Sequence, residues 1–543
     1  MFFILALFLL AIGQAHGADM ILTGARIYTM NDLQPVVSAL AVKNGRIACL
    51  GDDVARCAPP GARRIDARGA VVVPGLIDSH VHMEALGEQL ETIDLRGVAS
   101  VERVAELVRR AAASRRPGDW IVGRNWDQTN WGGRFPTARD LAAAAPRNPV
   151  LLARVDGHAA WVNAPALVLA QITRTTADPP GGRILREADG APSGILVDRA
   201  VDLVASKLPA PTPADTRRRL ARAAAECVRV GLTSVHDAGV TALQLDAYRD
   251  LIAHGELPLR VYAMIGGDGP LWRKYLARGP ETGERLTIRS IKLLADGALG
   301  SRGAALLEPY SDEPGNSGLL ILSRKSIERV AREAVAHGFQ VCTHAIGDRA
   351  NRTVLDAYAA ALGGAADRRF RIEHAQVVAP SDFERFRKYS LIASMQPTHA
   401  TSDMRWAEAR LGPERVRGAY AWRRFLSLGV PVASGSDFPV ERPDPLPGFY
   451  AAVTRQDAGG RPPGGWFPEQ RMSREEALRS WTLSGAFAAF EEREKGSLEP
   501  GKLADFVMLS ADILRIRPAE ILTTRVLMTV VGREIVYSAP GAK

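Results

Sequence analysis

From Met20 to Ile65 apolar and polar positions alternate in short runs, "ILTGARIYTM", "SALAVKN" and "RIACLGD", which is the period of half-buried strands. Asn44-Gly45 between two of these runs is a hairpin turn signal. The same texture returns near the C-terminus in "KLADFVMLS" and "RVLMTVVGREIVYS", after a helical stretch "REEALRSWTLSGAFAAF". The two ends are expected to form one β domain that brackets the middle. There the pattern changes: apolar runs alternate with amphipathic stretches such as "ERVAREAVAHG" and "RTVLDAYAAALGG", the signature of a parallel α/β architecture. Eight strands are read, a first ending at His80 and His82, then "LTSVHDAG", "LRVYAMI", "SIKLLADG", "FQVCTHA", "FRIEHAQ", "LIASMQPTHA" and "VPVASGSDFPV". Between the first two lies an insertion, about Glu84 to Ala210, too long for a plain βα connection and therefore expected to be a subdomain or lid.

The polar residues that interrupt this pattern supply the candidate chemistry. Val71 to Ile77 is apolar and β-branched apart from Pro74-Gly75, so it reads as strand; His80 and His82, at i and i+2, then face the same side, as does Asp78. Two imidazoles on one strand face can share a metal ion, and they can equally be ordinary histidines. Later strand ends add Lys292, His344, His374 and Asp437. In a parallel barrel such groups converge on one mouth, because chemistry sits at the C-terminal ends of the strands. Further candidates for a substrate pocket are Asp156 and His158 in the insertion, His236 with Asp237 at the end of the second strand, Asp296 and Arg302 after Lys292, and His399 after the seventh strand. Orientation of a ligand, packing and capping stay open for these. Trp126 and Trp131 in "NWDQTNW" suit either a pocket wall or a small core within the insertion.

The ordered segments "PGLIDSHVH", "SIKLLADGALGSRGA", "THAIGDRAN", "RIEHAQVV", "SMQPTHATSD", "ASGSDFPVE" and "KGSLEPGKLADFVML" resemble the amidohydrolase superfamily, and within it amidohydrolase family 3, a family of metal-dependent hydrolases. The resemblance covers nearly the whole mature chain. It implies an α/β fold: a (β/α)8 TIM-type barrel over residues 74–490 with a long insertion after barrel strand 1, and a β-sandwich built from both termini, 18–73 and 491–543. It also implies that His80, His82 and Asp437 hold the more buried ion and that His344 and His374 hold a second. Lys292 would bridge them as a carbamate formed with carbon dioxide, since a protonated ammonium repels cations. Two zinc ions per chain are the expectation, and manganese, iron or cobalt suit similar ligands. The implied activity is hydrolysis of a non-peptide carbon–nitrogen bond in a small amide-type substrate: an N-acyl or N-formyl amine, a cyclic amide or a carbamate. Metal-bound hydroxide would attack, with Asp437 as catalytic base and proton shuttle. Two other readings are a mononuclear deaminase of the same superfamily, for which "HAIGDRAN" offers Asp348 where a glutamate is usual, and a non-catalytic exported binding protein. A homo-oligomer is compatible with all of them.

Composition narrows the partners. The formal charge of +9 is spread along the chain, and arginines such as Arg109, Arg110 and Arg217 to Arg219 fall in expected helices as solvated faces, so no nucleic-acid partner is expected. The first residues, "MFFILALFLLAIGQAHGAD", carry an apolar core from Phe2 to Ile12 followed by the small-residue site Ala15-His16-Gly17. They read as a signal peptide over 1–17, although no Lys or Arg precedes the core, and as too short for a stable membrane span. A periplasmic or secreted protein is the expectation. Cys49, Cys57, Cys227 and Cys342 form no CxxC motif; Cys49 and Cys57 can pair in an oxidising compartment if geometry allows.

Overall fold

The computed structural model describes residues 19–541 apart from 155–158, 180–181, 268, 301 and 364–366. The expected leader and the candidates Asp156 and His158 lie outside the described residues. Eight parallel strands follow one another in a single sheet: β1 (Leu76–Val81), β2 (Leu232–Val240), β3 (Arg260–Gly266), β4 (Leu286–Leu294), β5 (Gln340–Ala345), β6 (Arg371–His374), β7 (Ile392–Met395) and β8 (Val432–Ser434). Ile288, Ile291, Val341, Ile372, Ala393 and Ala433 are all buried, as expected for strands covered on both faces. The sheet curls into a nearly closed barrel. Just beyond β8 the Asp437 N–H donates to the His80 carbonyl at 2.9 Å, and the His82 N–H donates to the Phe438 carbonyl at 3.0 Å. Asp78 ties the same seam, its carboxylate accepting the Ser436 backbone N–H at 3.0 Å and the Ser436 hydroxyl at 2.6 Å.

The apolar run from Val71 to Ile77, read above as one strand, divides at Gly75. Val71–Pro74 pairs with Arg26–Tyr28 and Phe506–Leu509 in a six-stranded sheet, whereas Leu76 opens β1 of the barrel. A Cβ at Gly75 would overlap the Thr233 hydroxyl and lie 2.7 Å from Thr233 Cγ2, so only glycine lets the chain pass from one sheet to the other. That six-stranded sheet and a four-stranded one (Met20–Thr23, Leu40–Lys43, Arg46–Leu50, Arg63–Asp66) contribute Leu22, Val42, Ile47, Val72, Phe506 and Val530 to one hydrophobic cluster. Asn44 and Gly45 both have positive φ, 53° and 76°, the backbone of the tight hairpin that their sequence signals. Arg260, at the start of β3, grips Asp505 with two buried hydrogen bonds of 2.7 and 2.9 Å. Cys49 and Cys57 are joined as a disulfide, their Cα atoms 6.3 Å apart, while Cys227 and Cys342 are buried thiols that take no part in a disulfide.

Met83–Ala223 is a separate compact unit. Its own six-stranded sheet runs Gly182–Arg186, Pro192–Asp198, Ala159–Val162, Val150–Arg154, Ile121–Trp126, Ile93–Asp94. Val104 and Val108 from helix Val101–Ala113 pack with Trp126, Trp161 and Val150 in its core. The Trp126 indole donates to the Leu152 carbonyl at 2.7 Å and stacks on Trp131 at 6.4 Å, so Trp126 serves this core. Arg218 and Arg219 pair with Glu91 and Glu88, which compensates the basic run locally. Among the described residues no helix is long and apolar enough to cross a membrane.

Candidate metal centre

All six expected ligands meet at the C-terminal ends of the barrel strands. His80 on β1 is fully buried, and His82 follows it with a half-buried ring. Asp437 Oδ1 lies 3.7 Å from His80 Nε2 and 3.3 Å from His82 Nε2. The Lys292 amine on β4 is 3.2 Å from His80 Nε2. On β5 and β6 the His344 and His374 rings are 4.5 Å apart, and His374 is 4.9 Å from the His80 ring. Donor atoms fall into two groups, each within 4.8 Å: His80, His82 and Asp437; and His374, His399 and Asp437. His399, expected only as a pocket residue, thus joins the centre. It sits in the first turn of helix Pro397–Arg415, with Nε2 3.9 Å from Asp437 Oδ2.

Backbone conformation aims two of these side chains. His374 has φ of 71° and Asp437 has φ of 59°, both left-handed, a costly conformation for residues with a Cβ and one that clusters at functional sites. In β6, Arg371 and Glu373 keep the inward face by strand alternation, and the left-handed turn at His374 brings the next side chain to the same mouth. Ring nitrogens are then oriented from behind. His80 Nδ1–H donates to Glu373 Oε2 at 2.5 Å, His82 Nδ1–H to the Ala238 carbonyl at 3.0 Å, and His374 Nδ1–H to Gln396 Oε1 at 2.7 Å. Each leaves Nε2 as the donor toward the centre, which is how metal-ligating histidines are held. His344 Nε2 and His399 Nε2 are buried with no hydrogen-bond partner among the described residues. Imidazole lone pairs and a carboxylate converging in this way fit a divalent ion of the zinc type.

The electrostatics agree with that fit. Burial, reinforced by the nearby Lys292 charge, pushes His80 down to about 4 and His344 to about 3. Burial and the neighbouring His344 hold His374 well below its ordinary value. These imidazoles are neutral, with lone pairs free to bind. Burial lowers the Lys292 amine as well. For Asp437 burial alone would act upward, but the surrounding His82, His80, His374 and His399 side chains outweigh it and hold the carboxyl well below its usual range. Glu373 behaves likewise: burial opposes its ionisation, and Arg371 and His80 outweigh burial.

The remaining candidates take other places. His236 is fully buried, its Nδ1 2.9 Å from the Arg371 guanidinium, so it lies behind the ligands. Asp237 accepts the Tyr248 hydroxyl at 2.7 Å. Asp296 is buried and accepts backbone N–H groups of Ala305, Ile346 and Gly347, which fixes the loops after β4 and β5; burial raises it to about 7. The Arg302 guanidinium is held by Asp312 at 3.0 and 3.1 Å. Asp348 accepts the Leu307 N–H at 2.7 Å at the start of helix Asp348–Leu362. Three participants escaped the sequence reading: Glu373, Arg371 and Gln396. Glu373 and Arg371 stand inside the quoted "FRIEHAQ", and their signal was the pair of charges in an otherwise apolar strand. Leu294, in register with His344 and 43% exposed, adds an apolar flank at the end of β4.

A nearly closed parallel barrel with imidazoles, a carboxylate and a lysine gathered at its mouth is the architecture of a metal-dependent hydrolase. The chain belongs to the amidohydrolase family, whose sequence profile matches residues 63–537. It is 36% identical over 515 residues to Protein LONG AFTER FAR-RED 3 of Arabidopsis thaliana, covering 91% of this chain and 88% of that protein. It is 29% identical over 548 residues to the N-substituted formamide deformylase of Arthrobacter pascens, covering 96% and 99% of the two. The crystal structure of an uncharacterized metal-dependent hydrolase from Pyrococcus horikoshii superposes with a TM-score of 0.77 at 29% identity, over 92% of this chain and 99% of that one.

Proposed function

We propose that the protein hydrolyses a non-peptide carbon–nitrogen bond, with N-substituted formamides as the first candidates among N-acyl amines, cyclic amides and carbamates. The convergence of His80, His82, Lys292, His344, His374 and Asp437 on one mouth carries this reading, and the formamide deformylase relative supports the substrate class. Leu294 suits an apolar substituent on the amide nitrogen. His80, His82 and Asp437 would hold one zinc ion, His344 and His374 a second, with Lys292 between them as its carbamate; other divalent metals suit the same donors. When bound, such ions supply an acidified water and a Lewis acid for the carbonyl oxygen.

The protein's own residues do the rest. Asp437 Oδ1 faces His80 and His82, so Oδ1 would be the oxygen that helps hold an ion, and Oδ2 the one left to carry a proton. Oδ2 takes the proton released as water adds to the carbonyl and returns it to the departing nitrogen, because an amide anion is a very poor leaving group. His399, beside Oδ2, is placed to hydrogen-bond the substrate through Nε2. The experiment is a panel of N-substituted formamides, other N-acyl amines, hydantoin-type cyclic amides and carbamates, run on metal-stripped and zinc-reconstituted protein. Zinc-dependent amine release supports the reading. No turnover of any member after verified reconstitution removes it and leaves the binding-protein alternative.

We also propose export, supported by the apolar leader and by the joined Cys49–Cys57 pair, since disulfides persist in oxidising compartments. N-terminal sequencing of protein from the periplasm or medium should begin near Ala18; a Met1 start there would refute cleavage.

A further inference from the structure

The two metal-holding groups are not oriented alike. His80 is backed by a carboxylate, Glu373 Oε2 at 2.5 Å, with both residues fully buried. His374 is backed by the neutral amide of Gln396, and His82 by a backbone carbonyl. We propose that Glu373, anchored by Arg371, is a positioning residue that makes His80, His82 and Asp437 the tighter of the two metal-holding groups, so that the first ion to bind occupies it. The ranking rests on the two-ion reading above; the role of Glu373 does not.

Both Glu373 oxygens are committed. Oε2 faces His80, and Oε1 forms an ion pair with Arg371 Nε at 2.8 Å. Arg371 is itself fixed on all sides, with Nη1 2.9 Å from His236 Nδ1 and Nη2 donating to the Ser394 hydroxyl at 3.1 Å and to the Ser79 carbonyl. The Glu373 carboxylate is therefore engaged at both oxygens, with Oε2 turned to His80. This fixes the tautomer: the proton stays on Nδ1 and the Nε2 lone pair faces the centre. A hydrogen bond to an ionised acceptor is roughly twice as strong as a neutral one and raises the basicity of the imidazole behind which it stands. No such partner backs His374. The buried pair is retained in the barrel interior although two charges there are costly to desolvate, which a purely packing role would not require.

The test is a zinc titration of metal-free protein against a chromophoric chelator, with cobalt absorption spectra recorded at each equivalent. Glu373→Gln should weaken the tighter step by about 10 to 100-fold, the scale for loss of an outer partner of a ligand histidine. It should alter the spectrum of the first cobalt equivalent and leave the weaker step in place. Gln396→Glu gives His374 a carboxylate and should strengthen the weaker step. Equal weakening of both steps by Glu373→Gln, or no change in either, overturns the proposal. Should Glu373→Gln fail to fold because Arg371 is left unpaired, Gln396→Glu decides alone: an unchanged weaker step overturns it. If the wild-type protein binds a single ion, the two-ion reading and the ranking fail together, and the effect of Glu373→Gln on that one affinity then decides its positioning role.

Discussion

Gly435 sits where the barrel closes, and replacing it with alanine tests how finely the seam sets the metal centre. Its backbone lies outside the left-handed region, so alanine is conformationally allowed and space alone opposes it. A Cβ there would fall 2.8 Å from the His80 backbone nitrogen and 2.9 Å from Asp78 Oδ1. Neither can yield by itself. His80 N–H donates to that same Asp78 oxygen at 3.2 Å, and Asp78 also holds Ser436. Restoring ordinary contact opens the seam by roughly half an ångström, at a cost of about 1 to 3 kcal/mol for overpacking. His80 moves on one side of that opening and Asp437, two residues beyond Gly435, on the other. A misplacement of about 1 Å costs on the order of a hundredfold in rate, so half of that predicts a loss of roughly tenfold in kcat/KM. The assay is kcat/KM on the best N-substituted formamide, with metal content and thermal unfolding measured on the same preparation. Gly435→Ala at wild-type kcat/KM and full metal content would falsify the claim that the seam fixes ligand geometry.

Asp437→Asn retains the shape of the side chain but has no free carboxylate oxygen for the proton; turnover should fall at least about a hundredfold, the lower end for acid–base catalysis, and near-normal kcat would refute the shuttle. Asp505→Asn leaves the buried Arg260 with only the exposed Glu284 carboxylate, 3.9 Å away, as counter-charge, which should cost about 3 kcal/mol in denaturant unfolding at pH 7. Burial alone would raise the Asp505 carboxyl, but Arg260 outweighs it and holds the group below its ordinary value. A depressed carboxyl contributes fully above its unfolded pKa of about 3.9 and loses that contribution as pH falls through the folded value. The gap between wild type and Asp505→Asn should therefore narrow in acid; a gap equally wide at pH 3 and pH 7 contradicts the assignment. Trp126→Ala should destabilise the Met83–Ala223 unit by about 3 to 5 kcal/mol, and an unaltered melting profile would show that the tryptophan is not part of its core.

The strands and the convergence of the six candidate side chains were legible because each lies at or near the end of an apolar run, where strand register and the barrel rule together predict one mouth. What escaped depended on local departures from regularity. Glu373 precedes His374 directly, and strict alternation would send the two to opposite faces; the left-handed backbone at His374 cancels that inference. His399 belongs to a helix, so counting strand ends passed it by as a ligand candidate. The run from Val71 to Ile77 looked continuous because both of its halves are buried β-strand, and only the Thr233 side chain packed against Gly75 marks the change of sheet. Asp78 was legible as inward-facing, but its partner Ser436 stands 358 residues away, a separation no local pattern carries.

That separation bears on how the protein matures. The proposed ligands His80 and His82 leave the ribosome hundreds of residues before Asp437, which reaches them only when the last barrel strand has docked against the first. A chain stalled with β8 undocked lacks the carboxylate that stands 3.7 and 3.3 Å from the Nε2 atoms of His80 and His82. On the proposed metal reading, full capture of an ion by this group follows completed assembly, and its retention would report that the barrel ring has been joined. The Asp78–Ser436 contact ties the same seam, so the join that brings Asp437 to His80 and His82 is made by the chain's own side chains.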